Sequence, residues 1–311
     1  MLTEAFHYDG GTDSVRVRVP AKINLHLGVG DRRDDGFHDL TTVYQAISLY
    51  DEVIVSTADA EGVECEVDGI GADVVPTDST NLAVAAVELL AESAGIVPRV
   101  KVKVRKRIPV AGGLAGGSAD GAAALLAAAR LWDLDLDRAA LSAHAAVLGS
   151  DVPFCLLGHT ALGLGHGEKV ETVTDNGSYD WVVATSDAQL STPAVYREVD
   201  RLRAEGQGRY SDDVSGLLEA LREGNVRRLA ASLRNDMSQA ALSLCPQLRD
   251  VLTVGMEDGA LAALVSGSGP TTLFLTRDSH HANALAGRLR LRRVAAGVSV
   301  ATGPVQGAHV M

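Results

Sequence analysis

Cysteine is scarce. Cys65, Cys155 and Cys245 are odd in number, far apart and without Cys-x-x-Cys spacing. That argues against a disulfide framework or a cysteine zinc site, and for a reducing compartment. Positive charge is also in deficit: 28 Lys and Arg face 40 Asp and Glu, a formal net charge of −12. With aromatics at 4%, no basic, aromatic face for RNA or DNA is expected. The balance leaves room for an anionic small substrate, because local cations and helix N-termini decide that contact. No run approaches the roughly 18 apolar residues needed to cross a bilayer. Residues 1–14 carry Glu4, Asp9 and Asp13 and no apolar centre, so they read as a loose polar extension rather than a signal peptide. A cytoplasmic protein with no membrane partner is the expectation. Two common nucleotide signatures are missing as well. No Gly-Lys-Ser/Thr closes a Walker A loop, and no glycines follow the i, i+2, i+5 dinucleotide spacing with a ribose-binding acid at the right distance.

What is present is another glycine loop. Pro109-Val-Ala-Gly-Gly-Leu-Ala-Gly-Gly-Ser-Ala-Asp120 holds Gly112, Gly113, Gly116 and Gly117 and runs straight into an alanine- and leucine-rich segment, 122–131. Glycine admits positive φ and leaves no Cβ between backbone and ligand. Ser118 and Asp120 are residue types that start helices. The unpaired first-turn N–H groups and the positive end of the helix dipole would suit a phosphate.

The 311 residues are enough for two domains. Period-two alternation predicts a strand over 15–19, with 23–29 as its continuation or its partner. Lys22 and Asn24 share a face if the segment between is extended. Further strands are expected at 51–56, 63–67 and 99–105, the last with one basic face that delivers Lys106 to the mouth of the loop. That face reads either as an edge defended by lysines or as a contact for nucleotide. Helices are expected at 81–94 and 137–148, and Asp151 reads locally as a cap for a short helix beginning before Pro153. A strand-like stretch, 160–167, marks the domain boundary. Beyond it come strands at 181–185, 261–265, 271–276 and 298–302, with helices at 193–204, 214–222, 226–234, 247–258 and 281–291. The Ser266-Gly-Ser-Gly-Pro270 turn is either a plain hairpin or a second backbone nest for phosphate. The second half is α+β.

Three separated pieces, Pro20-Ala-Lys-Ile-Asn-Leu25, the glycine loop and Ser266-Gly-Ser-Gly-Pro270, together resemble the three motifs of the GHMP kinases. Within that family, Asp35-Gly-Phe-His38, Gly149-Ser-Asp-Val-Pro153 and Thr192-Pro-Ala-Val-Tyr196 resemble a member acting on a cytidylated alcohol. The resemblance runs from about residue 15 to 304 and implies a two-domain α+β fold. A ribosomal protein S5 domain 2-like N-terminal domain over 15–165 would precede a ferredoxin-like C-terminal domain over 166–311. It implies ATP as co-substrate with Mg²⁺, and phosphorylation of the 2-hydroxyl of a cytidine-diphosphate-linked methylerythritol. It gives Asp151 as catalytic base with Lys22 as its partner. ATP falls to Asn81, Lys106, Pro109, Val110, Ala111, Gly112, Gly113, Leu114, Ala115, Gly116, Gly117, Ser118 and Ala119, with Asn81 and Lys106 near the adenine. Substrate falls to Asn24, Phe37, His38, Thr192, Tyr196, Gly267, Ser268 and Gly269, with His38 near the cytosine and Tyr196 stacked on it. Ser118 is a candidate Mg²⁺ ligand, and a monomer or weak homodimer is expected. Phe37 departs from the family's usual tyrosine and Gly121 from its usual alanine. A sister kinase for homoserine, mevalonate or a sugar is the rival reading. A non-catalytic nucleotide-binding regulator is another, disfavoured by Lys22, Asp151 and the intact loop.

Overall fold

The structure, a computed structural model, describes residues 13–34, 36–208 and 210–311. The extension expected over 1–14 lies outside these but for its last two residues, as does Asp35 of the turn. Alternating valines at 15, 17 and 19 open β1 (Ser14–Arg32), which runs through Pro20 without interruption, so 23–29 is its continuation. Antiparallel to it lies β2 (His38–Thr57), more than three times the length of the strand expected at 51–56. Residues 41–47 of β2 are buried on both faces, which removes the period-two signal from its first half. There follow β3 (Gly62–Gly69), α1 (Leu82–Ala94), β4 (Arg99–Lys106) and α2 (Gly116–Leu131). After α3 (Arg138–Leu148) and α4 (Val152–Leu157) comes a hairpin of β5 (Thr160–Leu164) and β6 (Lys169–Thr172).

The second half contributes β7 (Tyr179–Thr185), α5 (Thr192–Ala204), α6 (Ser215–Glu223), α7 (Val226–Ser232), β8 (Arg234–Asn235) and α8 (Ser238–Leu244). It ends with α9 (Leu248–Glu257), β9 (Ala262–Val265), β10 (Thr272–Leu275), α10 (Ser279–Arg292), β11 (Gly297–Gly303) and β12 (His309–Val310). The helix expected over 226–234 stops at Ser232 because Arg234 and Asn235 pair with β1 as β8. Helix α8 was not expected from the sequence.

The first sheet runs β12-β1-β2-β4-β3, with β5 and β6 extending from β2 and β8 beside β1. Strand β4 is therefore not an edge. The parallel β3 covers it, and Lys101 and Lys103 pair with Glu66 and Asp68 at 2.5 and 3.5 Å. Helix α2 crosses β1 and β2 on buried Ala119, Ala122, Ala123 and Ala127, side chains small enough to let helix and sheet approach closely. Gly121 packs α2 against α1 instead. A Cβ there would lie 3.1 Å from Leu82 Cβ and 3.2 Å from Leu82 O, so the glycine lets α1 and α2 close up.

The second sheet, β11-β7-β10-β9, packs Val182, Ala184 and Phe274 against α9 and α10. Its other face, with Trp181, Val183 and Leu273, joins the core of the first sheet. A division at residue 165 cuts the β5–β6 hairpin, and β8 and β12 return to the first sheet from the second half.

Gln45 of β2 fastens the two sheets. Its fully buried Oε1 accepts from Trp181 Nε1 at 3.1 Å, and its Nε2 donates to Thr160 Oγ1 and Asp175 Oδ2 at 3.3 and 3.2 Å. Gln45→Leu strands the indole N–H and should cost about 1–3 kcal/mol of stability. An unchanged urea midpoint would contradict this role for Gln45.

Candidate active site

Between the sheets opens a cleft of about 860 Å³. The physics of β1 dictates what faces it. Odd-numbered Ala21, Ile23 and Leu25 continue the valine face into the core, so Lys22 and Asn24 emerge on the other side, at the cleft. Lys22 Nζ donates to Asn24 Oδ1 at 3.0 Å and lies 3.4 Å from Asp151 Oδ2. Asn24 Nδ2 donates to Thr42 Oγ1 at 2.8 Å, and that hydroxyl donates to His26 O at 2.7 Å. The chain of bonds fixes the amide, and the amide aims the ammonium. Tyr44 lies under the ammonium, 5.5 Å from ring centroid to Nζ. Burial, and then the negative charge of Asp151, keep its phenol protonated far above the ordinary range.

Asp151 occupies the N-cap position of α4 yet its side chain caps no N–H. The carboxylate is 29% exposed and turned to the cleft, against Lys22. The local cap reading therefore gives the position but not the job.

The glycine loop closes one wall. Ala111, Gly113 and Ala115 all have positive φ, and α2 starts at Gly116 with no side chain capping it. The helix thus begins two residues before Ser118, and Asp120 sits inside it, buried, rather than at its start. Gly116, Gly117 and Ser118 line the cleft, so the uncapped first turn presents its N–H groups there. Gly113 is held by more than its φ of +74°: a Cβ would come 2.2 Å from Ser266 O. Ser266 Oγ donates to Gly113 O at 3.0 Å. The turn between β9 and β10 is both a hairpin connection and a wall of the cleft, with Gly267, Ser268 and Gly269 lining it. Thr192 Oγ1 and Ser268 Oγ are 2.9 Å apart.

At the far end, His38 Nε2 is 2.8 Å from Asp200 Oδ1, and its ring stacks on Tyr196 at 4.9 Å and 17°. A flat base needs about 3.5 Å on each side, so it would meet an outer face of this pair and not enter between the rings. Burial, then Asp151, push the Tyr196 phenol up to about 12. Phe37 is 61% exposed and edge-on to His166 at 4.9 Å. An exposed ring at the rim explains how the usual tyrosine hydroxyl can be absent without leaving a buried gap.

Six of the residues assigned to nucleotide by resemblance do not line the cleft. Leu114 and Ala119 are fully buried, and Pro109 and Val110 are half-buried behind the loop. Asn81 caps α1, accepting from Ala83 N at 2.9 Å and donating to Pro76 O at 2.7 Å, so its amide is engaged. Lys106 also does not line the cleft. Its ammonium turns inward to Asp51 and Asp120 at 2.5 and 2.6 Å, with the side chain 2% exposed. Sequence reasoning missed Arg32, Tyr44, His166, Arg197 and Asp200, all of which line the cleft. Asp200 was within reach, since it stands one helical turn beyond Tyr196 on the same face of α5.

Against known proteins, the model of the GHMP kinases N terminal domain matches residues 81–159, and that of the GHMP kinases C terminal matches 217–293. A Nocardia farcinica protein named 4-diphosphocytidyl-2-C-methyl-D-erythritol kinase is 52% identical over 96% of both chains. The chain belongs to the GHMP kinases. A protein of the same name from Mycobacterium tuberculosis is 51% identical over 96% of this chain and 94% of its own. A crystal structure of 4-(cytidine 5'-diphospho)-2C-methyl-D-erythritol kinase superposes with a TM-score of 0.75 at 34% identity, covering 92% of this chain and 98% of that one. Homoserine kinase from Cytophaga hutchinsonii shares the fold at a TM-score of 0.74 and 20% identity, over 99% of this chain and 100% of that one. The GHMP kinase fold expected from the sequence is therefore the fold of this chain.

In this GHMP kinase the contact of Gly113 with Ser266 joins the loop wall to the second sheet. Gly113→Ala should lower affinity for an ATP analogue about tenfold or more, through strained φ and a forced gap. Calorimetric titration with unchanged affinity would remove the close approach from the account.

Proposed function

We propose that this GHMP kinase transfers the γ-phosphoryl group of ATP to the 2-hydroxyl of 4-diphosphocytidyl-2-C-methyl-D-erythritol, giving the 2-phosphate and ADP. The setting is non-mevalonate isoprenoid synthesis. The observation that carries the proposal is the Lys22–Asp151 pair at 3.4 Å in the same cleft as the uncapped N-terminus of α2. The names of the relatives at about half identity support the substrate.

Phosphoryl transfer asks mainly for positioning and charge neutralisation, because its transition state is loose. The N–H groups of Gly116, Gly117 and Ser118 would hold the phosphates in line with the acceptor. Asp151 accepts the proton of the attacking hydroxyl. Lys22, aimed by Asn24, faces that carboxylate and stabilises negative charge on the substrate oxygen. Mg²⁺ usually arrives on the phosphates and takes only one or two protein carboxylates. Ser118 in the cleft offers a hydroxyl that would help hold the ion, which would screen the triphosphate. Among the described residues no cluster of three His, Cys, Asp or Glu could hold a metal unaided.

Charge supports the cytidylated substrate over a simple alcohol. Lys22 pairs with Asp151 and His38 with Asp200, whereas Arg32 and Arg197 line the cleft without an ion pair among the described residues. Two guanidinium groups beside the His38–Tyr196 stack suit a diphosphate joined to a base. We also read the domain division as following β6, with β8 and β12 counted in the first domain.

Asp151→Asn should lower kcat by about 10²–10⁴-fold while ATP-analogue binding stays nearly intact. Wild-type turnover would remove Asp151 from the base role. Arg197→Gln should raise KM for the cytidylated substrate about tenfold with kcat preserved. A change confined to kcat would count against a diphosphate contact.

A further inference from the structure

Lys106, Asp51 and Asp120 form a buried charge cluster that no step of the reaction uses. It lies directly behind the glycine loop. Asp51, on β2, is fully buried. Its Oδ2 accepts from Lys106 Nζ at 2.5 Å, while its Oδ1 accepts from Arg107 N at 2.5 Å and Ile108 N at 2.8 Å. Those two N–H groups belong to the residues that enter the loop. Asp120, in the second turn of α2, accepts from the same Lys106 Nζ at 2.6 Å, just past the residues that leave it. The roof is Gly116, the first residue of α2: a Cβ there would stand 3.1 Å from Lys106 Nζ. One ammonium thus grips the entry and the exit of the loop at once.

Two observations show that this is more than neutral packing. One cation serves two carboxylates, and Asp120 Oδ1 is buried with no hydrogen-bond partner. Burial, then the negative charge of Asp51, raise the proton affinity of Asp120 well above the ordinary carboxylate range, against the pull of Lys106. Such a cluster is a costly way to fill a core, since apolar residues of similar volume are often as stable or more so. What it supplies instead is direction. Four strong, charge-assisted bonds converge on fixed atoms and fix the loop's two ends relative to β2.

We propose that Lys106 and Asp120 are positioning residues for ATP. By clamping both ends of the loop to Asp51, they hold the N–H groups of Gly116, Gly117 and Ser118 at the angle the phosphates require. The proposal rests on the reading that this loop holds the phosphates of ATP. It also reassigns Lys106, which acts on the nucleotide from beneath the loop rather than from the cleft.

The test is Asp120→Ala, which leaves a neutral Lys106–Asp51 pair and frees only the α2 end. Binding of magnesium adenylyl imidodiphosphate is measured by titration calorimetry, alongside KM for each substrate and the urea midpoint. The expected result is an affinity and an ATP KM weakened about fivefold or more, with KM for the alcohol substrate unchanged and no loss of stability. Asp120→Asn keeps an oxygen for Lys106 and should restore wild-type affinity. If Asp120→Ala does not fold, Asp120→Ser, one bond too short to reach the ammonium, carries the same expectation. A folded Asp120→Ala or Asp120→Ser that binds the analogue as wild type does, or an Asp120→Asn that fails to recover it, overturns the clamp. Failure of the wild-type enzyme to bind the analogue would instead overturn the reading of the loop itself.

Discussion

The cleft exists because two stretches of backbone approach each other with nothing between them. Gly113 meets the carbonyl of Ser266 at a distance that no Cβ could share, and Ser266 Oγ closes the contact through Gly113 O. Around that junction the rest is arranged. Lys22 N donates to Leu114 O at 3.2 Å, tying β1 to the loop. A Cβ at Gly267 would make ordinary contact with Asn24 and Lys22, and Asn235 Nδ2 holds the turn through Val265 O and Gly267 O at 2.8 and 2.7 Å. A side chain at Gly113 would hold the two sheets apart, and Lys22, Asp151 and the helix terminus would no longer share one space.

Electrostatics divides the cleft into two ends. At the loop end, partial positive charge comes from main-chain N–H groups, whose direction is set from beneath by buried formal charges. Near the middle, Lys22 and Asp151 stand close enough to influence one another but leave the carboxylate open to solvent and substrate. At the far end the positive charge is carried by side chains, Arg32 and Arg197, beside a stacked imidazole and phenol. An anion bound at one end and a second anion bound at the other would bring an alcohol between them to Asp151.

Much of this is written locally in the chain, and the part that is not has a common cause. Lys22 and Asn24 could be placed on one face because strand alternation extends from Val15 without a break. The loop declared itself through four glycines ahead of a helix-forming run. Lys106 reads as facing nucleotide because it ends a strand at the loop's mouth. Its direction is set by carboxylates 55 and 14 residues away, which no local pattern reveals. Asp120 has the chemistry of a helix cap, but the backbone turned helical at Gly116 and carried it inside. The first half of β2 was unread for a related reason: burial on both faces erases alternation. Short β8 and β12 exist only because β1 offers them an edge.

Phosphoryl transfer to one particular alcohol is tested most directly by a coupled ADP-release assay with magnesium ATP. The panel is 4-diphosphocytidyl-2-C-methyl-D-erythritol, homoserine, mevalonate and galactose. Turnover on the cytidylated alcohol alone is the predicted result. Turnover on one of the other three, with none on the cytidylated alcohol, would contradict it.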